Sequence, residues 1–519
     1  MTQEEALAIL KTGASVFLTG EPGSGKTHTV NQYIRYLRDH DIEPAITAST
    51  GIAATHIHGT TLHSWSGIGI RKTLSQSDIT DIARGKFIGQ RIRKCRVLII
   101  DEVSMISGDT LDMVEQICRK ARKSEEPWGG LQVVFVGDFF QLPPVSKESS
   151  QPLFAFSSHA WRSLSPLVCY LSEQHRQEDS VFLSVLSAIR QNSFDEGHYE
   201  HIERRLTEHA PVSSETMRLY AHNANVDALN AQELALLPGK TWVFIMAERG
   251  PEGLVSSLKK GCLSPEKLEL KLGSSVVCTK NNPSAGFVNG TLGVVVGFSD
   301  ETRYPIIETR SGKRITIEPT EWPLEEEGVL LAKIIQIPLR LAWAMTIHKS
   351  QGMSLDAAVI DLSRVFEFGQ GYVALSRVRT LSGVHLLGVS PQAFRVHPAV
   401  SEQDGIFHEL AREAQREYGA LSQAALALLQ KQFIRKCGGK TAESPEVKKK
   451  SGDIGTDLKT KRPASASYRR WTKEEEDMLR DLSHKELPLK QIAALLDRKP
   501  GGIRSRLAKL GLLPERFGE

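Results

Sequence analysis

Residues 15–27 read SVFLTGEPGSGKT, an apolar, β-forming run that leads directly into the spacing G-x-x-x-x-G-K-T. No other feature restricts the fold as much, because a glycine-rich turn between a strand and a helix is the phosphate cradle of parallel α/β sheets. Gly20, Gly23 and Gly25 let backbone N–H groups, with that of Ser24, wrap an anion. A helix starting near Lys26 aims its positive end at the same point, Lys26 reaches the outer phosphates, and Thr27 offers a hydroxyl to Mg²⁺. A chance glycine-rich turn would lack the flanking strand and helix.

The second half of such a site is a strand that ends in carboxylates. LIIDEVSM at 98–105 supplies it. Asp101 is suited to hold the Mg²⁺ shell and Glu102 to orient and deprotonate the attacking water. An acidic pair after an apolar run is often only a strand entering solvent, and the upstream cradle decides between the readings. The cofactors implied are ATP and Mg²⁺.

At 519 residues the chain is too long for one core. In the first third, β-forming runs at 15–20, 44–49, 97–102 and 132–138 alternate with helical stretches, the pattern of a doubly wound parallel sheet. MRLYAHN (217–223), IIQIPLRLAW (334–343), AAVIDLS (357–363) and GVHLLGVS (383–390) suggest a second α/β domain. Between them the Gly-, Val- and turn-rich stretch at about 240–333 reads as short antiparallel strands, a small inserted barrel. Residues 436–467 hold almost no large apolar side chains and read as a flexible linker. The expected organisation is an α/β domain at 1–180 with a small inserted wedge region, and a second domain at 181–240 and 334–400 interrupted by the barrel at 241–333. A helical extension at 401–435, a basic linker at 436–467 and a helical module at 468–515 follow.

Composition excludes several classes. No apolar run approaches the ~18 residues that a membrane span needs, so no membrane association is expected. MTQEEALAIL lacks both a basic, apolar leader and an Arg-rich presequence, which makes a cytoplasmic location the expectation. Six widely spaced cysteines signal neither a zinc site nor a disulfide framework. The net charge is +4, and from residue 431 onward Lys and Arg clearly outnumber Asp and Glu. Such a tail fits a nucleic-acid footprint or a merely solvated segment.

Segments between and beyond the phosphate motifs are more specific. TASTGIAATHIHGTTLHSW (47–65), GDFFQLPPV (137–145), LSEQHRQ (171–177), QIPLRLAWAMTIHKSQGMSLD (336–356) and GQGYVALSRVR (369–379) resemble motifs Ia, III, IV, V and VI of Pif1- and RecD-like superfamily-one helicases, in that order. DTLDMVEQICRKARKSEEPWGG (109–130) looks like the signature stretch of the Pif1 branch. KLGSSVVCTKNNPSAGFVNGTLGVVVGF (271–298) resembles the opening strands of the family's inserted Src-homology-3-like barrel. The resemblance covers about residues 1–400 and implies two RecA-like domains of an ATP-dependent DNA helicase that moves 5′ to 3′ on single-stranded DNA and serves genome maintenance.

Family roles carry over position by position. Gln141 would sense the γ-phosphate, and Arg176 and Arg377 would reach it from across the cleft. Gln3, just upstream of the cradle, would read the adenine edge. Thr50, Gly51, Thr61, His63 and Trp65 in one region, Phe140 and Pro143 beside the sensor, and His348, Lys349, Ser350 and Gln351 match segments that touch DNA. For Trp65 and Phe140, core packing is an almost equal alternative. The implied partners are single-stranded and forked DNA, bound by a chain that is monomeric when free.

YRRWTKEEEDMLRDLSHKELPLKQIAALLDRKPGGIRSRLAKLGLL looks like a Myb-like or helix-turn-helix unit opened by a Thr472-x-x-Glu475 capping box. Its expected core is Trp471, Leu479, Leu482, Ile492, Leu495, Ile503, Leu507 and Leu510, and its third helix, from near Pro500, would present Arg504, Arg506 and Lys509. Duplex DNA and a protein partner both fit. The competing function for the whole chain is a DNA-stimulated ATPase that remodels protein–DNA complexes or anneals strands without processive unwinding.

Overall fold

The computed structural model describes every residue except 51–52, 55–56, 58, 70, 145–153, 173–178, 207–215, 283, 310, 327–328, 441–470, 485–491, 494, 497, 499 and 513–519. Strands β1 (Val16–Gly20), β2 (Ala45–Ala48), β3 (Thr60–Thr61), β4 (Val97–Asp101), β5 (Gln132–Val136) and β6 (Leu167–Leu171) form one sheet in the order β3-β2-β4-β5-β1-β6. Every pairing in it is parallel. Both faces are covered, which is why these strands read as continuous apolar runs rather than alternating ones. Val16 and Leu18 enter one core and Phe17 the other; Val97 and Ile99 likewise oppose Leu98 and Ile100.

The second lobe begins with β7 (Arg218–Tyr220), and the chain then leaves for the insert. There β8 (Trp242–Ile245), β9 (Ala247–Arg249), β10 (Lys267–Leu270), β11 (Ser275–Cys278), β12 (Leu292–Phe298), β13 (Pro305–Thr309), β14 (Arg314–Thr316), β15 (Thr320–Glu326), β16 (Val329–Gln336) and β17 (Leu339–Leu341) build three antiparallel sheets, ordered β14-β13-β12-β11-β17, β15-β16-β9 and β10-β8. The first of these has its own core around Val276, Val295, Ile307 and Leu339. The chain returns with β18 (Ala344–Thr346), β19 (Ala358–Leu362) and β20 (Val384–Val389), and the parallel order is β18-β7-β19-β20.

One expectation needs correction here. The run 334–343 is not a strand of the parallel sheet: it is divided between β16 and β17, and the parallel strand is Ala344–Thr346. Pro338 has no N–H to give a ladder, so the apolar run splits at that point. Antiparallel pairing extends to Leu341, beyond the expected boundary at 333.

The helices Pro398–Gly419 and Gln423–Cys437 return to the first lobe. Phe407 stacks into an aromatic cluster with Phe17 at 4.9 Å and Phe139 at 6.0 Å between ring centroids. Gln415 Nε2 donates to Glu5 Oε2 at 3.0 Å and Gln430 Nε2 to the Ala8 carbonyl at 3.1 Å. Gly13, at φ +87°, admits Phe433 so closely that a Cβ there would lie 2.1 Å from the ring. The start of the expected linker is tied down: Lys440 N–H donates to the His40 carbonyl and its Nζ pairs with Asp41 at 2.7 Å. Residues 441–467 of the linker lie outside the described residues.

In the C-terminal module the helix Lys473–His484 opens with the reciprocal Thr472/Glu475 hydrogen bonds of a capping box. Its core contains Met478, Leu479, Leu482, Ile492, Leu496, Ile503 and Leu507, closed by Leu421, Ala425, Leu428 and Leu429 of the preceding extension. Leu496 is fully buried, while Leu495, expected in the core, is 39% exposed. Adjacent leucines in a helical segment point about 100° apart, so only one can face the core. The substitution Leu496→Ala is expected to cost roughly 2–5 kcal/mol and Leu495→Ala under about 0.5 kcal/mol. Denaturation of the two variants followed by Trp471 fluorescence checks the assignment, and the opposite ranking would refute it.

Candidate active site

The cradle follows from backbone geometry. Gly20, Gly23 and Gly25 all have positive φ, at +146°, +90° and +87°, which only glycine adopts freely. A Cβ on Gly20 would lie 2.7 Å from the Leu171 carbonyl oxygen, and one on Gly25 would lie 2.1 Å from Gln3 Nε2. Gly25 caps the helix Lys26–Asp39, so that helix points its N-terminus into the turn. Gln3 is held against the cradle by donating to the Ser24 carbonyl at 3.2 Å. Lys26 folds over its own loop and donates to the Gly20 and Glu21 carbonyls at 2.8 and 3.1 Å. Burial lowers its pKa, and the carboxylates of Asp138, Glu102 and Asp101 act against that while Arg190 adds to it. Thr27 is exposed at the helix start.

Asp101 ends β4, and Glu102 follows with φ +51°, an uncommon conformation for a side chain other than glycine. That turn directs both carboxylates into the cleft. Burial raises the pKa of each, and the neighbouring Glu102 charge raises Asp101 further. Arg377 and Lys26 pull Glu102 the other way. Two adjoining half-buried carboxylates beside an exposed hydroxyl at Thr27 are a donor set that suits a hard divalent cation.

Gln351 changes the picture drawn from sequence. Expected on DNA, it is instead buried, and its Nε2 donates to Glu102 Oε2 at 3.0 Å and to Gln141 Oε1 at 3.3 Å. It therefore joins Glu102 at the end of β4 to Gln141. Gln141 in turn reaches Asp138 Oδ2 at 3.4 Å. Arg377 is buried on the second lobe, bonded to the Val373 carbonyl at 3.0 Å and Ser376 Oγ at 2.9 Å. Arg176 lies outside the described residues, as does Gly51.

Sequence reasoning missed the centre of this network. The Arg190 guanidinium, 5% exposed, donates through Nη1 to both Asp138 oxygens at 2.8 Å and to Tyr372 OH at 2.9 Å, and through Nη2 to Tyr170 OH at 2.6 Å. It also lies 4.2 Å over the Phe140 ring. Burial works most strongly against its charge, yet Asp138, Tyr372, Tyr170 and Asp404 together outweigh it, and its pKa is raised well above the ordinary arginine value. The local sequence SVLSAIR carries no signal for this beyond an arginine at the end of an apolar helix.

The other DNA candidates divide. Trp65 and Phe140 are each 4% exposed and belong to the main core, so neither presents a ring to a base. Ser350 is fully buried and donates its hydroxyl to the Ile347 carbonyl at 2.7 Å. Thr50 and Thr61 use their hydroxyls to accept from Ala53 N–H and Ser64 N–H, both at 3.2 Å. Thr50, His348, Lys349, Asp101, Glu102 and Gln351 line one cavity of about 240 Å³, which joins the carboxylates to the loop at 346–352. Burial lowers the pKa of Lys349 and of His63, and Arg340 adds to the effect at Lys349. Pro143 is half-buried, two positions after Gln141. In the C-terminal module Arg504 is exposed, whereas Arg506 pairs with Glu476 and is committed within the fold.

Removing one member of the Arg190–Asp138 pair strands the other charge. Arg190→Met is expected to destabilise the protein by about 3–5 kcal/mol, and Arg190→Met with Asp138→Asn to recover a large part of that. Urea denaturation of the two variants tests this; a double variant no more stable than the single one would show that the charge pair is not the cause.

Residues 3–194 match the model of the PIF1-like helicases, and residues 253–298 match that of the DNA helicase Pif1 2B domain. An ATP-dependent DNA helicase Pif1 of a Psychrobacter species is 42% identical over 85% of this chain and 75% of its own length. The Bdellovibrio bacteriovorus protein of that name is 37% identical over 77% and 90%. Among solved structures, Pif1 helicase from Candida albicans superimposes with a TM-score of 0.68 at 34% identity, covering 78% of this chain and 98% of that one. A Bacteroides Pif1 in complex with ADP-AlF3 and ssDNA gives 0.57 at 28% identity, covering 78% and 96%. With its phosphate cradle, paired carboxylates and two parallel-sheet lobes, the chain belongs to the Pif1-like helicases.

Proposed function

We propose that this protein is an ATP-dependent DNA helicase that moves 5′ to 3′ along single-stranded DNA and opens duplex or forked DNA in genome maintenance, acting on the nucleoid as a monomer when free. The observation that carries the reading is the contact of Gln351 with both Glu102 and Gln141. It gives the loop at 346–352 a direct hold on the groups that would act on ATP.

In this reading the backbone of residues 20–27 and Lys26 bind the triphosphate, and Gln3 stands beside the base. Thr27 and Asp101 would hold Mg²⁺, which when bound supplies charge neutralisation at the β- and γ-phosphates. Glu102 orients water and takes up its proton; burial raises its pKa, which makes it a stronger base than an ordinary carboxylate. Arg377, and Arg176 from the segment resembling motif IV, stabilise charge developing on the γ-phosphate when the lobes close. His63, Thr50, Thr61, Pro143, His348 and Lys349 belong to the DNA path. A shift of the 346–352 loop on binding DNA moves Gln351 and so alters Glu102, which couples the strand to hydrolysis.

Strand displacement on duplexes with either a 5′ or a 3′ single-stranded tail, with ATP and Mg²⁺, tests the motor. Unwinding is expected only from the 5′ tail and only with Lys26 intact, Lys26→Ala abolishing it; ATP hydrolysis without unwinding from either tail would favour a remodelling ATPase. Gln351→Ala is expected to reduce the stimulation of hydrolysis by single-stranded DNA roughly 2- to 30-fold, the range of a coupling of about 0.5–2 kcal/mol.

The C-terminal module is proposed to contact duplex phosphates through Arg504 and Lys509, which are exposed on the helix Pro500–Lys509. Arg504→Glu with Lys509→Glu is expected to weaken duplex binding and to lower its salt slope by about one per lost phosphate contact. Unchanged duplex affinity would leave a protein partner as the better reading.

A further inference from the structure

Resting on the helicase reading, we propose that Phe366 is a base-stacking platform on the single-stranded DNA path. The parallel strands β18, β7 and β19 end side by side, and the residues just past their carboxyl ends include His348, His222 and Phe366. That edge is where open parallel sheets bind their ligands. Phe366 is 53% exposed, so most of the benefit of burying a phenyl ring is forgone.

The ring is nevertheless held in place. His222 stacks on it at 4.9 Å and 22°, and the His348 ring lies 6.5 Å away at 20°. His222 Nε2 bonds the Arg364 carbonyl at 3.1 Å, and His348 Nε2 meets Glu367 Oε2 at 3.1 Å. The fully buried Gln370 accepts the Phe366 and Glu367 N–H groups through Oε1 at 3.0 and 3.4 Å. A near-parallel set of rings, fixed before any ligand arrives and open to solvent, matches the flat face of a base and asks nothing of its identity. The exposed Arg364 and the half-buried Lys349 supply cations for the backbone on either side. His348 and Lys349 also line the cavity shared with Thr50 of the first lobe, so the platform continues a surface that crosses both lobes.

The test uses the full-length chain, a fluorescent oligothymidine and the same oligomer with abasic sites. Phe366→Ala is expected to weaken binding of the intact strand roughly tenfold, with Phe366→Trp retaining affinity and Phe366→Leu falling toward alanine. The preference of the wild type for intact over abasic strands should shrink in Phe366→Ala. Unchanged affinity in Phe366→Ala, equal losses on intact and abasic strands, or failure of the tryptophan to substitute would each overturn the platform. Should the wild type not bind single-stranded DNA at all, the helicase reading itself falls, and the platform with it.

Discussion

One buried guanidinium organises the interface between the lobes. Arg190 leaves the helix Ser180–Arg190 and meets a carboxylate of the first lobe at Asp138, a phenol of β6 at Tyr170 and a phenol of the second lobe at Tyr372. An isolated charge at this depth would be prohibitively costly, so its partners and their placement are mutually required. The Tyr170 hydroxyl in turn reaches Asp404 on the helical extension at 3.3 Å. Both lobes and the returning helix are therefore keyed to one side chain, and the Gln141 that bonds the same Asp138 inherits its position from it.

Glu102, Gln141 and Gln351 sit within that frame as a chain of polar contacts. Gln351, Glu102 and Gln141 share two hydrogen bonds, and Arg377 and Lys26 act on Glu102 from opposite lobes. The positive φ of Glu102 is what turns its carboxylate into this company rather than leaving it along the strand. Local strain and long-range pairing thus meet at one residue, a common arrangement where a group must change partners during turnover.

What was legible in the sequence was what is local. Glycine spacing, strand-end acids and the capping box at Thr472 depend on a few consecutive residues, and they appear where the pattern puts them. Buried parallel strands were legible because a sheet covered on both faces demands unbroken apolar runs. Partners distant in sequence were not. Nothing near Arg190 or Gln351 announces the residues they meet, which lie 52 and 249 positions away. Trp65 and Phe140 show the other limit: an aromatic residue in a functional motif serves core and ligand equally well on paper, and only the packing of its neighbours decides which.

The seam between the insert and the second lobe has a mechanical meaning. Only Ala342 and Trp343 separate β17 of the insert from β18 of the parallel sheet. Ala342 N–H is bonded to the Ser275 carbonyl in the insert, and the Trp343 carbonyl accepts from Arg218 N–H in the lobe. A joint whose two residues are each clamped to a different body, and both buried, has no slack to act as a swivel. On this side the insert is a rigid outrigger: any load placed on it is delivered to Thr346 and the loop that follows. A graft of this insert onto another helicase would need to carry residues 339–346 with it to preserve the transmission.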